Sequence, residues 1–473
     1  MKKSEFKKYP KYKPSGVEWI GEIPEGWSVN RLKNCLESEQ NGFWGEEEKG
    51  DKNDKVCIRV ADFDRDFDKL NKTGNTTRNI KLQDYEKRKL KLGDLLIEKS
   101  GGGELTPVGR VGFFDWEEIE AVCANFIARL RIKDSHNSRF FFYLFKALYK
   151  NRLNLKSIKQ TTGIQNLDTY DYFSELIATP QNGSEQTAIA NYLDDKTAKI
   201  DSLIEKKKKL IELCKEERTA VINEAVTKGL NYDSHDLADE HDKKNHGNPL
   251  IKLNQGSDTK MKDSGIEWLG QIPQHWEVKK LKYVGNIVLG KMLTNDDKGG
   301  YYLKPYLRAA NLQWFKVNVE DVKEMWFSEA ELEKLRIEEF DLLVSEGGEV
   351  GRTCIWQKEL EECFIQNSVH KITIEQNQDP LFFLYLMYYL GSIGLFESIV
   401  NRISIAHLTG EKIKDIPVWH PHKTEQHQIV QYIEAETKRI DGKIARTEKE
   451  IELLREYRTA LISEVVTGKI KVC

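Results

Sequence analysis

One stretch that the chain carries twice decides the fold. Residues 185–227 read EQTAIANYLDDKTAKIDSLIEKKKKLIELCKEERTAVINEAVT, and residues 425–467 read EQHQIVQYIEAETKRIDGKIARTEKEIELLREYRTALISEVVT. Twenty of the 43 aligned positions are identical, at a constant offset of 240 residues. Neither stretch contains proline, and both are rich in residues that favour helices, so each predicts one long helix. Ser184 is the expected N-cap of the first helix and Gly229 its C-cap glycine.

Both predicted helices carry the same internal spacing. Inward positions recur at alternating intervals of four and three, which is the heptad seam of a coiled coil. The seam residues expected to pack are Ile200, Ile204, Ile211 and Val221 in the first helix, and Ile440, Ile444, Ile451, Leu454 and Leu461 in the second. We therefore predict an antiparallel two-helix coiled coil within the chain, about 65 Å long, that serves as a spacer. The alternative is that each helix packs only on its own domain.

The same seam includes polar positions. Lys207 and Arg218 in the first helix correspond to Thr447 and Arg458 in the second. A polar residue in a seam costs stability but can fix register and partner choice.

A second duplicated block opens each half. SGVEWIGEIPEGWSVNRLKN at 15–34 matches SGIEWLGQIPQHWEVKKLKY at 264–283 in 11 of 20 positions, at an offset of 249. Trp19, Ile23, Pro24 and Trp27, like Trp268, Ile272, Pro273 and Trp276, recur in both copies, so packing is a better reading of them than base stacking. The halves share their ends and differ in their middles, which predicts a common scaffold with a variable binding surface on loops. Drift after duplication is the alternative.

The repeats define the domain organisation. We predict a globular domain at 1–183, a spacer helix at 184–230, a polar linker at 231–260, a second globular domain at 261–423 and a second spacer helix at 424–473. The linker's His235, His241 and His246 lack a metal-ligand spacing, so a solvated linker is the better interpretation. Short strand-like runs precede an aromatic helix at 139–150 and at 381–391, which indicates the α+β class.

Composition narrows the possible classes. The chain has 473 residues and a formal net charge of −3, which excludes a uniformly basic coat but not a local cationic surface. No run reaches the roughly 20 apolar residues of a spanning helix, and the uncharged run 381–396 predicts a buried helix. Seven scattered cysteines without a CxxC indicate a reducing, cytoplasmic compartment rather than a disulfide framework or a zinc ribbon.

Two pairs of loops are candidates for contact with nucleic acid. The first pair is glycine-rich, follows a strand and ends in Gly-Arg; its candidates are Lys99, Ser100, Gly101, Gly102 and Arg110, with Ser345, Gly347, Gly348 and Arg352. Glycine lets a backbone approach a phosphate closely and arginine pairs with it, although a tight turn with a structural arginine fits equally well. The second pair precedes the long helices and offers types that read base edges: Gln160, Thr161, Gln165 and Asn166, with Arg402, Ser404 and His407.

The sequence lacks the common catalytic motifs. The sequence contains no [DN]PP[YF], HExxH, GxSxG or P-loop motif, so a binding protein that holds no metal is the expectation. A self-contained nuclease or methyltransferase is a weaker alternative. A scaffold that holds two enzymes through its helices without touching bases is the stronger one.

The WIGEIPEGW-type opening, the GDLLI strand before a glycine-rich turn and the duplicated helix block resemble the specificity subunit of Type I restriction-modification systems. The resemblance covers 12–230 and 261–473. It implies two target recognition domains that each read half of a split, asymmetric site on double-stranded DNA. It also implies paired helices that dock two methyltransferase subunits, with restriction subunits in the same assembly and no membrane. Cofactors would then belong to partners: S-adenosylmethionine to the methyltransferase subunits, ATP and Mg²⁺ to the restriction subunits.

Overall fold

The computed structural model describes residues 7–64, 69–161, 163–231, 252–253, 260–400 and 407–472. Most of the linker, with its three histidines, lies outside these residues. The described helices are α1 (Leu82–Arg88), α2 (Ser138–Lys150), α3 (Thr169–Tyr172), α4 (Gly183–Lys228), α5 (Glu329–Leu335), α6 (Pro380–Ser392), α7 (Leu395–Ile399), α8 (Gly410–Lys414) and α9 (Lys423–Val466).

Contacts divide the chain into two units. Unit one comprises Met1–Lys209 with Glu448–Cys473, and unit two comprises Leu210–Thr447. Unit one therefore takes the first part of α4 and the last part of α9, whereas unit two takes the remaining part of each. Each unit thus completes itself with helix from the other sequence repeat.

Unit one contains a four-stranded antiparallel sheet and a smaller three-stranded sheet. The four strands run in the order Val111–Phe113, Leu95–Glu98, Ile127–Ile132, Leu36–Asn41. The three strands run in the order Ala121–Cys123, Asp54–Ile58, Thr76–Asn79, with the first pair parallel. The remaining strands are Tyr12–Pro14 with Glu22–Pro24, Trp27–Arg31 with Leu176–Pro180, Phe63–Asp64 with Lys69–Leu70, and Ser100–Gly101 with Ile164–Leu167 and Ile158–Thr161.

Unit two repeats this topology. Its four strands run in the order Thr353–Ile355, Leu342–Ser345, Val369–Ile374, Gly285–Leu289, and its three strands in the order Lys323–Phe327, Tyr302–Leu307, Phe364–Ile365. The remaining strands are Met261–Asp263 with Gln271–Pro273, Glu277–Lys280 with Pro417–His420, Leu312–Gln313 with Lys316–Val317, and Leu230–Asn231 with Lys252–Leu253. The predicted α+β class with two pseudo-repeat domains is confirmed.

The long helices pair antiparallel in both units. In unit one Asp201 pairs with Arg458, and Lys207 pairs with Glu450. Residue numbers therefore fall along α9 as they rise along α4, which is the antiparallel arrangement. In unit two Arg218 pairs with Asp441, whereas Gly229, directly after α4, lies beside Glu425. Among the seam residues, Ile200, Ile204, Ile211, Ile440, Ile451 and Leu461 are buried, whereas Val221, Ile444 and Leu454 are half-buried.

Two sequence expectations about helix ends are wrong. Helix α4 begins at Gly183 instead of after Ser184, because the Asn182 side chain accepts the Ser184 N–H at 3.0 Å and so caps the helix. The apolar run 381–396 is divided between α6 and α7, because Gly394 adopts a left-handed φ of 72° that ends the first helix. Gly229 ends α4 in the same conformation, with a φ of 72°.

The repeated openings pack against both long helices. In unit one the Trp27 indole donates to Glu185 at 3.0 Å, near the start of α4. In unit two the Trp276 indole donates to Glu425 at 3.1 Å, near the start of α9. Both tryptophans are buried, so the expectation of packing describes them correctly.

The cores follow the aromatic helices. Phe140, Phe141 and Phe145 of α2 are buried in unit one, as are Phe382 and Phe383 of α6 in unit two. Each such side chain contributes about 1.5–3 kcal/mol when it leaves water, which anchors each helix to its sheet. None of the helices in the described part of the chain is long and apolar enough to cross a membrane.

Candidate nucleic-acid interface

In unit one, the two predicted loops meet in one small sheet. The strand Ser100–Gly101 pairs with Ile164–Leu167, which places Ser100 opposite Asn166 and Gly101 opposite Gln165. Ile158–Thr161 forms a hairpin with the same central strand, and there Gln160 lies opposite Gln165. Segments about 60 residues apart in sequence thereby meet in one sheet. Because side chains alternate along a strand, Ser100, Lys159 and Asn166 share one face, whereas Gln160 shares the other face with Gln165.

Hydrogen bonds fix the side chains at this sheet. The Ser100 hydroxyl donates to the Asn166 side chain at 2.6 Å, and the Lys99 ammonium group donates to Asn41. Gln160 and Asn166 are exposed. Exposed amides that are held by their neighbours can both donate to and accept from base edges. For Thr161 only the backbone lies within the described residues.

Two of the predicted contact residues take other positions. Gln165 is buried, and its side-chain Oε1 accepts a hydrogen bond from the Val108 N–H at 3.3 Å. Gln165 therefore stabilises the glycine-rich loop. Arg110 leads into the strand Val111–Phe113, with its guanidinium 5.6 Å from the centroid of the Tyr149 ring. The glycine-rich sequence therefore delivers Ser100 and Arg110 to different surroundings.

In unit two, the equivalent loops also meet. The Leu408 N–H donates to the Glu346 carbonyl at 2.8 Å, and His370 Nε2 donates to the Leu408 carbonyl at 2.6 Å. These bonds hold His407, which is exposed, next to the glycine-rich loop. Burial raises the pKa of Glu346, and the positive charge of His407 opposes that increase.

The other candidates of unit two serve the loop itself or lie outside the described residues. Ser345 is fully buried and donates to the Gly347 carbonyl at 2.6 Å, whereas Gly348 is exposed with a left-handed φ of 73°. Arg352 pairs with Glu349 at 3.2 Å. Arg402 and Ser404 lie outside the described residues.

Sequence reasoning missed two features of unit one. Lys159 stands beside Gln160 on the hairpin and pairs with Asp168 at 2.7 Å, which lowers the pKa of that carboxyl group. Trp44 is 37 % exposed, with the Arg78 guanidinium 4.7 Å from its ring centroid. Alternation along the hairpin would have indicated Lys159, whereas no local pattern brings Arg78 to Trp44, 34 residues away.

The two surfaces offer hydrogen-bond donors and acceptors on a shared frame, but with unlike side chains. Within the described residues, no group of three or more His, Cys, Asp or Glu side chains is arranged to hold a metal ion. Six described cysteines, at 35, 57, 123, 214, 354 and 363, are buried free thiols, and burial raises the pKa of Cys57 to about 12, which keeps it protonated and unreactive. This chemistry suits recognition by hydrogen bonding.

The chain thus carries two unlike polar surfaces on one duplicated scaffold. The family model for the Type I restriction modification DNA specificity domain matches residues 24–213 and again 273–453, so the chain belongs to this family.

Relatives cover nearly the whole chain. The putative type I restriction enzyme MjaX specificity subunit of Methanocaldococcus jannaschii is 25 % identical, over 96 % of each protein. Among solved structures, a chain from work on complex assembly and conformational transition of the type I R-M system superimposes with a TM-score of 0.61 at 15 % identity, covering 94 % of this chain and 98 % of that one. The HsdS subunit from Thermoanaerobacter tengcongensis gives 0.54 at 14 % identity, covering 95 % and 98 %. These two likenesses concern the fold.

Proposed function

We propose that the chain reads a bipartite, asymmetric DNA site, one half-site per globular domain, and thereby directs methylation and restriction by partner subunits. The observation that carries this proposal is the pair of unlike surfaces on one repeated frame. In unit one Gln160 and Asn166 are exposed, and Ser100 is half-buried beside Asn166. The equivalent region of unit two offers His407 beside Glu346. Unlike readers on equivalent frames are suited to unlike half-sites.

The chemistry belongs to the partners in this proposal. The chain itself acts without a catalytic centre, and two methyltransferase subunits dock on it, with restriction subunits in the same complex. S-adenosylmethionine binds the methyltransferase subunits, and ATP with Mg²⁺ binds the restriction subunits. The cytoplasmic location predicted from the cysteine pattern suits this role.

A domain exchange tests the reading function. Residues 15–180 are replaced by the corresponding segment of another recognition domain, and the complex with its methyltransferase subunits is expressed in cells whose methylome is sequenced. One half-site should change and the other should persist. A change in both half-sites, or in neither, would contradict one reader per unit.

A paired deletion tests the spacer function. Removing 204–210 from α4 together with 448–454 from α9 keeps the antiparallel register, since Lys207 pairs with Glu450. Seven residues of helix correspond to about 10 Å, or about three base pairs of DNA. The spacer between half-sites should shorten by about that amount while both half-sites keep their sequences. A changed half-site sequence would show that the helices do more than set distance.

A further inference from the structure

A basic cavity of about 320 Å³ lies in unit one, between the recognition domain and the last part of α9. That volume is at the lower end of the roughly 300–1,000 Å³ of small-ligand sites. Its cationic lining consists of Arg110, Lys146, Lys150, Arg152 and Arg458. Among the described residues no carboxylate lines it. Five cations around one cavity stand out in a chain whose net charge is −3.

Three of these cations are available to a ligand. Within the part of the chain that the structure describes, Arg110, Lys150 and Arg152 form no ion pair with a carboxylate. Lys150 and Arg152 are exposed at the rim, whereas Arg110 is half-buried. Clustered like charges repel one another, so an anion that neutralises them is stabilised there.

A hydrogen bond and a turn of the backbone define the shape of the cavity. The Tyr149 hydroxyl donates to the Pro107 carbonyl at 2.8 Å, which fixes the ring under the Arg110 guanidinium. Arg152 adopts a left-handed φ of 56° directly after α2, which turns the chain at the cavity rim. The equivalent residue of unit two, Gly394, has the same left-handed conformation, so this turn belongs to the shared frame.

Unit two supplies an internal comparison. Helices α2 and α6 have equal length, so Lys146, Lys150 and Arg152 correspond to Tyr388, Ser392 and Gly394. Three cations of unit one are thus uncharged residues in unit two.

The equivalent space in unit two is filled. Thr219, the counterpart of Thr459 at the cavity, hydrogen-bonds the Tyr388 hydroxyl at 3.0 Å, and Phe315 stacks on Tyr388 with ring centroids 4.8 Å apart. The Arg218 guanidinium lies 5.2 Å from the Phe315 ring centroid. Among the described residues, the shared frame therefore does not require an open basic cavity, and the cations of unit one point to a ligand.

We propose that this cavity binds a phosphate group through Arg110, Lys150 and Arg152. Guanidinium and ammonium groups are the strongest side-chain partners of phosphate oxygens, and two guanidinium groups favour bidentate contacts. The phosphate comes either from the DNA backbone or from a free nucleotide. Only the first source rests on the proposed DNA function. Either way, neither Gln160 nor Asn166 lines the cavity.

The test compares the wild type with three variants of the full chain, each in complex with its methyltransferase subunits. Arg110→Gln/Lys150→Gln removes two cavity charges, and Arg110→Lys/Lys150→Arg keeps them. Lys91→Gln/Lys133→Gln is the matched control, since both lysines are exposed in unit one and neither lines the cavity. Binding of target and random duplex is measured across a salt series, and binding of ATP and of inorganic phosphate by calorimetry. Circular dichroism and thermal unfolding establish that each form is folded.

If the cavity binds a DNA phosphate, Arg110→Gln/Lys150→Gln should weaken binding of target and random duplex by the same factor. The salt slope should fall by about 0.9 per lost contact in the cavity variant alone, and the charge-keeping variant should restore it. If the cavity binds a free nucleotide, the wild type should bind ATP or phosphate and the cavity variant should not. The salt dependence of DNA binding should then be the same in both forms. If wild type and cavity variant agree in both measurements, the proposal is wrong. If the wild type fails to prefer its target, the proposed function fails, and the ATP and phosphate measurements still decide the cavity.

Discussion

The Arg458 guanidinium of α9 lies 2.8 Å from the Asp201 carboxylate of α4, and each side chain is only 8 % exposed. The equivalent pair of unit two, Arg218 with Asp441, is 3.3 Å apart and 25 % and 55 % exposed. An identical sequence pair is thus buried in one unit and solvated in the other. Burial raises the pKa of Asp201, and the charge of Arg458 opposes that shift.

This difference predicts unequal costs for equivalent substitutions. Arg458→Met should lower the free energy of unfolding by about 3–5 kcal/mol, because it leaves Asp201 buried without its partner. Arg218→Met should cost about 1 kcal/mol or less, since water solvates Asp441. Urea unfolding of the two full-length variants measures both. Equal losses would show that burial does not govern the pair.

The glycines that end the long helices give a second matched pair. Both have a left-handed φ, 75° at Gly468 and 72° at Gly229, and alanine there costs about 1–2 kcal/mol. A Cβ at Gly468 would also come within 2.5 Å of Pro24, whereas the nearest atom at Gly229 is 3.2 Å away on Trp276. Gly468→Ala should therefore destabilise by about 1–3 kcal/mol more than Gly229→Ala. Thermal unfolding of both variants measures the two losses. A larger loss for Gly229→Ala than for Gly468→Ala would contradict the prediction.

A buried histidine predicts the pH dependence of unit two. Burial lowers the pKa of His370 below its ordinary value of about 6.5, and its hydrogen bond to Leu408 opposes this shift. The unfolded chain therefore takes up a proton that the folded one excludes. Stability from this group is present above about pH 6.5 and is lost as pH falls towards the lower folded pKa.

The measurement is the free energy of unfolding at about pH 7.5 and pH 5.5. His370→Gln should flatten the wild-type decline on acidification by at most about 1.4 kcal/mol per pH unit. His420, whose pKa burial also lowers, leaves a residual slope in the variant. If the free energy of unfolding depends on pH equally in the wild type and in His370→Gln, then His370 does not contribute to that dependence.

The reading surface of unit one predicts a local change of specificity. Gln160→Ala removes an exposed amide from the hairpin, so preference at one base pair of one half-site should relax by about 1–3 kcal/mol. Gln274→Ala, an exposed glutamine of the repeated opening, is the control and should leave both half-sites intact. Sequencing of selected duplexes reads the result. Relaxation in both half-sites would assign Gln160 to the frame.

The sequence predicted the paired helices well because a heptad pattern is a local property. It did not predict where α4 stops packing on the other long helix and begins to pack on a globular core. Ile222 is buried in place of the expected Val221, because this end of α4 packs on the core of unit two, which includes Ala225 and Trp276. A pattern that assumes one helical partner cannot show that change.

The candidate interface was predicted in parts. Polar loops could be recognised from their residue types, but the pairing of Ser100 with Asn166 depends on strands far apart in sequence. Glycine-rich sequence grouped Arg110 with Ser100, whereas the strand that begins at Val111 carries Arg110 to the basic cavity. Side-chain direction after a turn is set by the sheet that follows it.

Unit one is completed by Glu448–Cys473, at the opposite end of the chain from the domain they support. Translation proceeds from the N-terminus, so Trp27 and Pro24 cannot meet Gly468 until the ribosome has passed all of unit two. The segment that enters unit one first therefore waits for its last partner while unit two, a continuous stretch, is already synthesised.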